Sequence, residues 1–243
     1  MQGKHRDSVL FAQKCSQLLV VGSILLLLLF GNTESARVCH ASFNNETQLE
    51  TPCYNLLQQV QITASGLAAT LELREYVTDA TLVTYYVSNQ VTTYQEALNF
   101  AGFYVIEYFI GPFNARNASL LSSRTVPLTL RPPTAQHKYW LGAMALSPSL
   151  WPPGSNPPTG LYGIEMVPFG RSVLLASLRV QYPYTPQPSD YDALCANLQA
   201  SVHLVRAAVD VHSPFSPTHA YYYGREMLGP LWDAECWYGV TVA

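Results

Sequence analysis

The stretch LELREYVTDATLVTYYV, residues 71–87, places Glu72, Arg74, Glu75 and Tyr76 almost side by side. Two carboxylates that close can divide acid and base roles when their surroundings push their pKa values apart. Arg74 lies between them, however, and the β-branched and aromatic run that follows marks the stretch as strand. The expected arrangement is therefore a cluster of charge on or near the strand's outer face. Other catalytic patterns are missing from the sequence. It has no G-x-S-x-G, no H-E-x-x-H, no catalytic-cysteine pattern and no glycine-rich phosphate loop. His137, His203, His212 and His219 share no spacing, and His203 reads as a surface residue. The residues argue for binding rather than catalysis, with no catalytic or metal-binding set.

Cysteine chemistry points to export. The N-terminus carries Lys4, Arg6 and Lys14, then the apolar run Leu18–Phe30, then small residues around Ser35 and Ala36. This is the layout of a secretory signal, and the run is shorter than the roughly 20 residues a spanning helix needs. Residues 1–36 are read as a signal peptide, with no stable membrane span after cleavage. Cys39, Cys53, Cys195 and Cys236 then remain, an even number suited to two disulfides in an oxidising compartment. Three pairings are open. No zinc-ligand spacing joins them. The sequons at Asn45 and Asn117 are candidate glycosylation sites in such a secreted chain.

Removing residues 1–36 takes three basic and two acidic residues from totals of 13 and 16, leaving 10 and 14 and a net charge of −4. With one lysine left, Lys138, beside nine arginines in no stripe, nucleic-acid binding has no electrostatic footing. The chain of 243 residues, 49% hydrophobic and 12% charged, suits one sizeable core. It is divided here into a signal peptide (1–36), a polar lead (37–52) and one domain (53–243).

The elements that must hold any site follow from periodicity and caps. Residues 54–73 read as a mixed strand-like region, and Thr70–Tyr76 and Leu82–Val87 as two strands with a turn at Thr78-Asp79. Thr93 and Glu96 form a capping box that starts a helix at Tyr94, ended by Gly111-Pro112 after Ile110. ALNFAGFYVIEYFI within it carries one charge, Glu107, so this helix is expected to be buried on most sides or to line a cavity. Further strands are read at Arg124–Arg131, interrupted by Pro127 and so at an edge or bulge, and at Tyr139–Leu146, Leu161–Val167 and Arg171–Tyr182. A second capping box at Ser189–Asp192 starts a helix to about Val209 with a stripe of Leu194, Leu198, Val202, Val205 and Val209. Strands at Thr218–Tyr223 and Glu235–Val242 follow. Strand pair, capped helix and strand pair occur twice, which predicts an α+β fold of two pseudo-duplicated halves around a curved antiparallel sheet or barrel.

The order of these motifs resembles the SOUL haem-binding protein family. ELREY and TLVTYYV are similar to its opening, and ALNFAGFYVIEYFIGPFN to its Gly-Phe helix and Asn turn. Val126-Pro-Leu-Thr-Leu-Arg-Pro132 loosely matches its proline-bearing strand, and Tyr221-Tyr222, Pro230 and Glu235-Cys-Trp237 its end. The resemblance spans about residues 53–240. It implies a distorted antiparallel β-barrel with two α-helices that binds haem or another tetrapyrrole reversibly, as a secreted, non-enzymatic protein. The cleft would lie beside the first helix, with walls at Leu98, Phe103, Ile106, Phe109 and Ile110. Cations for the ligand's carboxylates would come from Arg116, Arg124, Arg131 and Arg225, because Val105 and Phe113 stand where relatives often carry lysine. Glu75 occupies the place of a histidine thought to ligate iron in some members, and a carboxylate is a poor axial ligand. The resemblance thus implies binding without that ligation. Another small apolar ligand, or an interaction protein with a filled core, are the alternatives.

Overall fold

A computed structural model describes residues 37–243 apart from 44–46, 77–79, 89, 122–124, 126, 136–137, 148–149, 153, 170–172, 214, 223–230 and 243. Side chains are described from residue 51 onward. The signal segment, Asn45, Arg124, Arg225 and the side chain of Cys39 therefore lie outside the described residues.

Among the described residues, eleven strands and two α-helices follow one another: β1 (Arg37–Phe43), β2 (Thr47–Ala64), β3 (Leu67–Tyr76), β4 (Ala80–Val87), α1 (Tyr94–Ile110), β5 (Leu128–Arg131), β6 (Trp140–Ala145), β7 (Ile164–Phe169), β8 (Val173–Tyr182), α2 (Pro188–Ser201), β9 (Ala207–Val209), β10 (Thr218–Tyr221) and β11 (Trp232–Val242). The described residues of the polar lead are strand, since β1 pairs with β2. The β2–β3 hairpin turns at Ser65-Gly66, both with φ positive (51° and 78°), a turn that glycine makes inexpensive.

All pairings are antiparallel, in the order β1-β2-β3-β8-β11-β10-β5-β6-β4-β7, with β9 added to β11. Outward from the β10–β5 contact, the order is β10-β11-β8-β3 on one side and β5-β6-β4-β7 on the other. In chain order each side is a strand, a helix and further strands: β4-α1-β5-β6, and β8-α2-β10-β11 with the short β9 added between α2 and β10. The sheet curls but is not closed into a barrel. Both edges of β3 are already used, by β2 and β8, so β3 has no edge left to receive β4 or β7. For the same reason β3 and β4 do not form the hairpin that their proximity in sequence suggested. Pro127 precedes β5 rather than interrupting it, and β5 is an inner strand between β10 and β6.

Both helices cover one face of the sheet. α1 starts where its capping box predicts, with Thr93 Oγ1 accepting from the Glu96 N–H at 3.3 Å, and ends at Gly111. Its buried residues, including Ala97, Ala101, Val105, Tyr108 and Phe109, pack on β4, β5 and β6. Gly142 of β6 allows the approach, because a Cβ there would collide with Ala101. α2 begins two residues earlier than expected: the Asp190 carboxylate accepts from the Gln187 N–H at 2.7 Å. It stops earlier as well, because Val202–Val205 tighten into a 3₁₀ turn and Arg206 takes φ 53°. The chain thereby leaves the helix, and Ala207–Val209 pairs with β11. Leu194, Leu198, Val202 and Val205 still bury one stripe against Leu71, Leu73 and Leu178, and each such side chain contributes roughly 1.5–3 kcal/mol. A disulfide between Cys195 and Cys236 ties α2 to β11, which fixes one of the open pairings. Cys53 is disulfide-bonded as well.

Candidate functional site

Strand alternation divides the molecule's buried chemistry between two faces. On β3, Leu71 and Leu73 meet α2, whereas Glu72, Arg74 and Tyr76 point to the inner face of the curl, where Glu235 and Trp237 of β11 also lie. The charge cluster is therefore interior, and the expected outer-face placement is corrected. Arg74 is 3% exposed and Glu235 fully buried. The guanidinium donates to both Glu235 oxygens at 2.9 and 3.1 Å and to Glu72 at 2.7 Å, and lies 4.7 Å from the centre of the Tyr54 ring. Ser177 Oγ and Trp237 Nε1 donate to Glu235 at 2.9 and 2.6 Å, and Tyr222 also hydrogen-bonds to it. Burial opposes the charge on Glu235, but Arg74 more than offsets this and holds the carboxyl at about 2. Glu75 is on the other face, where it accepts from Asn55 at 3.2 Å. Seen from sequence, the two glutamates looked like a pair, but the pleat separates them. Arg74 instead finds its main partner 161 residues away.

The second face carries the seam between the helices. His219 of β10 is 2% exposed. Its Nδ1 lies 3.0 Å from the Tyr94 hydroxyl of α1, and its ring stacks on Tyr191 of α2 at 5.3 Å. Trp140 and Tyr221 complete the group, with Tyr94–Trp140 at 5.6 Å and Tyr191–Tyr221 at 4.5 Å. Burial holds the imidazole down to about 4, so it is neutral near pH 7. Nothing in the histidine spacing signalled this position. The Tyr-Tyr pair at 221–222, at the end of a strand expected over Thr218–Tyr223, was the available hint.

Next to this group is a cleft of about 190 Å³, formed by Gln95 and Leu98 of α1, Thr185–Gln187, Tyr191 of α2, Tyr221, Tyr222, Trp232 and Asp233. Leu98 alone of the expected wall residues lines it. Phe109 is buried in the core under α1, Ile106 is half-buried, and Phe103 and Ile110 are 54% and 43% exposed. The reason is geometric: at 100° per residue, Leu98 and Phe103 point about 140° apart on the helix, so one cleft cannot use both. The expected cations are also dispersed. Arg116 is exposed on the loop after α1. Arg131 is 6% exposed and faces a different cavity, inside the curl. No described residue lining the cleft is a cation, and Asp233 contributes a carboxylate. Asn117, the described sequon, is exposed with φ 45°. Among the described residues no cluster of three or more potential metal ligands occurs, and no helix is long and apolar enough to cross a membrane.

No family model and no curated protein matches the chain. Among solved structures, a hydrolase from Listeria innocua matches with a TM-score of 0.42 and 9% identity over 70% of this chain and 91% of that one. An uncharacterized conserved protein from the same organism matches with a TM-score of 0.40 and 9% identity over 70% and 92%. At such scores and identities the likeness assigns no residue a role.

Proposed function

We propose that this is a secreted, non-enzymatic binding protein that holds a small planar apolar ligand in the cleft at the α1–α2 seam. The observation that carries the reading is the lining: Leu98 and four aromatic side chains, Tyr191, Tyr221, Tyr222 and Trp232, converge there. Flat rings gain from such walls through burial and offset or edge contacts. Gln95 and Gln187 at the rim supply the few polar groups that orient a ligand.

Haem or a related tetrapyrrole is the first candidate ligand, on the order of the motifs that resemble the SOUL family, and the strand order that repeats across the β10–β5 contact fits a duplicated fold of that kind. The cleft adds a preference. Its room is below the roughly 300–1,000 Å³ of most small-molecule sites, and its described lining offers a carboxylate and no cation. A ring without carboxylates, entering by one edge, suits it better than a diacid. Titration with haemin and with a neutral porphyrin should quench tryptophan fluorescence saturably, near micromolar or about −8 kcal/mol, with the neutral ring the tighter. Trp232→Leu should remove most of the quenching, and Leu98→Trp should block binding. A quench that rises linearly with either ligand and ignores both substitutions would overturn the reading.

A second reading, an interaction protein, has one observation in its favour. Phe100, Phe103 and Ile110 expose 48%, 54% and 43% of their surface along α1, near Tyr162 at 68%. Substituting Phe100 and Phe103 by Ser should then abolish partner capture while leaving ring binding intact.

A further inference from the structure

We propose that the interior of the curled sheet is a second binding site, separate from the cleft, for a short-chain carboxylate of about four carbons. The inner face encloses a cavity of about 50 Å³ whose walls include Leu82, Leu141, Phe169, Phe215 and Trp237. A single water requires roughly 10–15 Å³ of such room, so the space accommodates about three to five waters, or a guest with some four to six non-hydrogen atoms. Water fits the volume but not the chemistry, since each buried water needs two to four polar partners and these walls are mostly apolar.

The polar groups at the cavity are few and of one kind. Arg131 lines it and is nearly fully buried. Its guanidinium carries five N–H donors, so it can receive a carboxylate in addition to the contacts it already makes, in the forked geometry that planar oxyanions favour. Tyr76 lines it too and is fully buried. Its hydroxyl makes no hydrogen bond of ordinary length among the described residues, although the Arg74 guanidinium is close enough to act on it. A buried hydroxyl in that condition calls for an acceptor. Thr129 and Thr218 already donate, to the Ala143 and Phe215 carbonyls at 3.0 Å each, so they add no further donor. One cation, one donor hydroxyl and apolar walls select an anion with a small branched or straight hydrocarbon body. Arg131 and Leu98 are on opposite faces of the sheet, so this site neither needs the cleft nor competes with it.

The test uses the whole exported protein and isobutyrate, with isobutyramide as a neutral probe of the same shape. Calorimetry or ligand-detected NMR should show saturable one-to-one binding of isobutyrate, with the amide weaker by about tenfold or more, the scale of one lost charge-assisted contact. Arg131→Met should weaken isobutyrate to the level of the amide. Tyr76→Phe should weaken it by a few-fold, and Leu98→Trp should leave it unchanged while blocking the cleft. Equal affinity for acid and amide, or no saturable binding by the folded wild-type chain, would overturn the proposal. That comparison needs no variant and stands even if Arg131→Met fails to fold. Loss of isobutyrate binding in Leu98→Trp would instead place the carboxylate in the cleft and reject the second site.

Discussion

β10 and β11 hold two buried ionisable groups within one register step of each other, and treat them in opposite ways. Ala220 faces Glu235 across the pair, and His219 faces Cys236. Glu235 is on the inner face and stays charged, because Arg74 meets it with two hydrogen bonds. His219 is on the outer face and stays neutral, because it is surrounded by rings and the carboxylate beside it, Asp192, is 4.0 Å away and 77% exposed. Both solutions avoid an isolated buried charge, which is the most costly arrangement available to either group. The contrast shows that in this molecule the face of the sheet, rather than position along it, sets the protonation state.

The largest effect should come from breaking the inner solution. Arg74→Met strands Glu235 in the interior and should cost about 4 kcal/mol of unfolding free energy, read by urea denaturation. Adding Glu235→Gln should recover a large part of that loss, since a matched neutral pair removes the stranded charge. No recovery would mean that Arg74 matters through packing on Tyr54 instead.

On the outer side, replacing both Cys195 and Cys236 by Ser releases α2 from β11 across a sequence separation of 41. Loop-closure entropy puts the expected loss at about 4 kcal/mol, with the Arg74–Glu235 pair intact. The pH dependence separates the two faces. His219 titrates near 4 when folded against 6.5 as a model value, so the unfolded chain binds its proton first. Stability should be full above pH 6.5 and fall by about 3 kcal/mol as pH drops to 4. Glu235, lowered from 4.5 to about 2, contributes stability above pH 4.5 that is lost as pH falls to 2. His219→Phe should flatten the first window and leave the second. A wild-type profile flat between pH 6.5 and 4.5 would show that the imidazole is hydrated in solution. The smallest expected change is Thr93→Ala, which removes the α1 cap for about 1 kcal/mol without altering either window.

Local signals were legible where the chain needed only its neighbours. The Thr93–Glu96 cap, the end of α1 at Gly111 and the stripe on α2 all depend on residues within a few positions, and they fall where the pattern places them. The early end of α2 was hidden, because it depends on Ala207–Val209 finding β11, a contact that periodicity does not encode. The site was less legible than the fold. Its parts, Leu98, Tyr191, Tyr222 and Trp232, come from three well-separated regions of the chain, and none has a distinctive spacing.

The sequence by itself determined an α+β chain of antiparallel strands and two capped helices, with apolar stripes sized for one core. Those properties follow from side-chain periodicity and local backbone preferences. Only the tertiary structure decided that β3 joins β8 instead of β4, and so whether Arg74 faced water or Glu235. A strand's alternation says which residues share a face, but not which face is buried, because that choice depends on partners contributed by the far end of the chain.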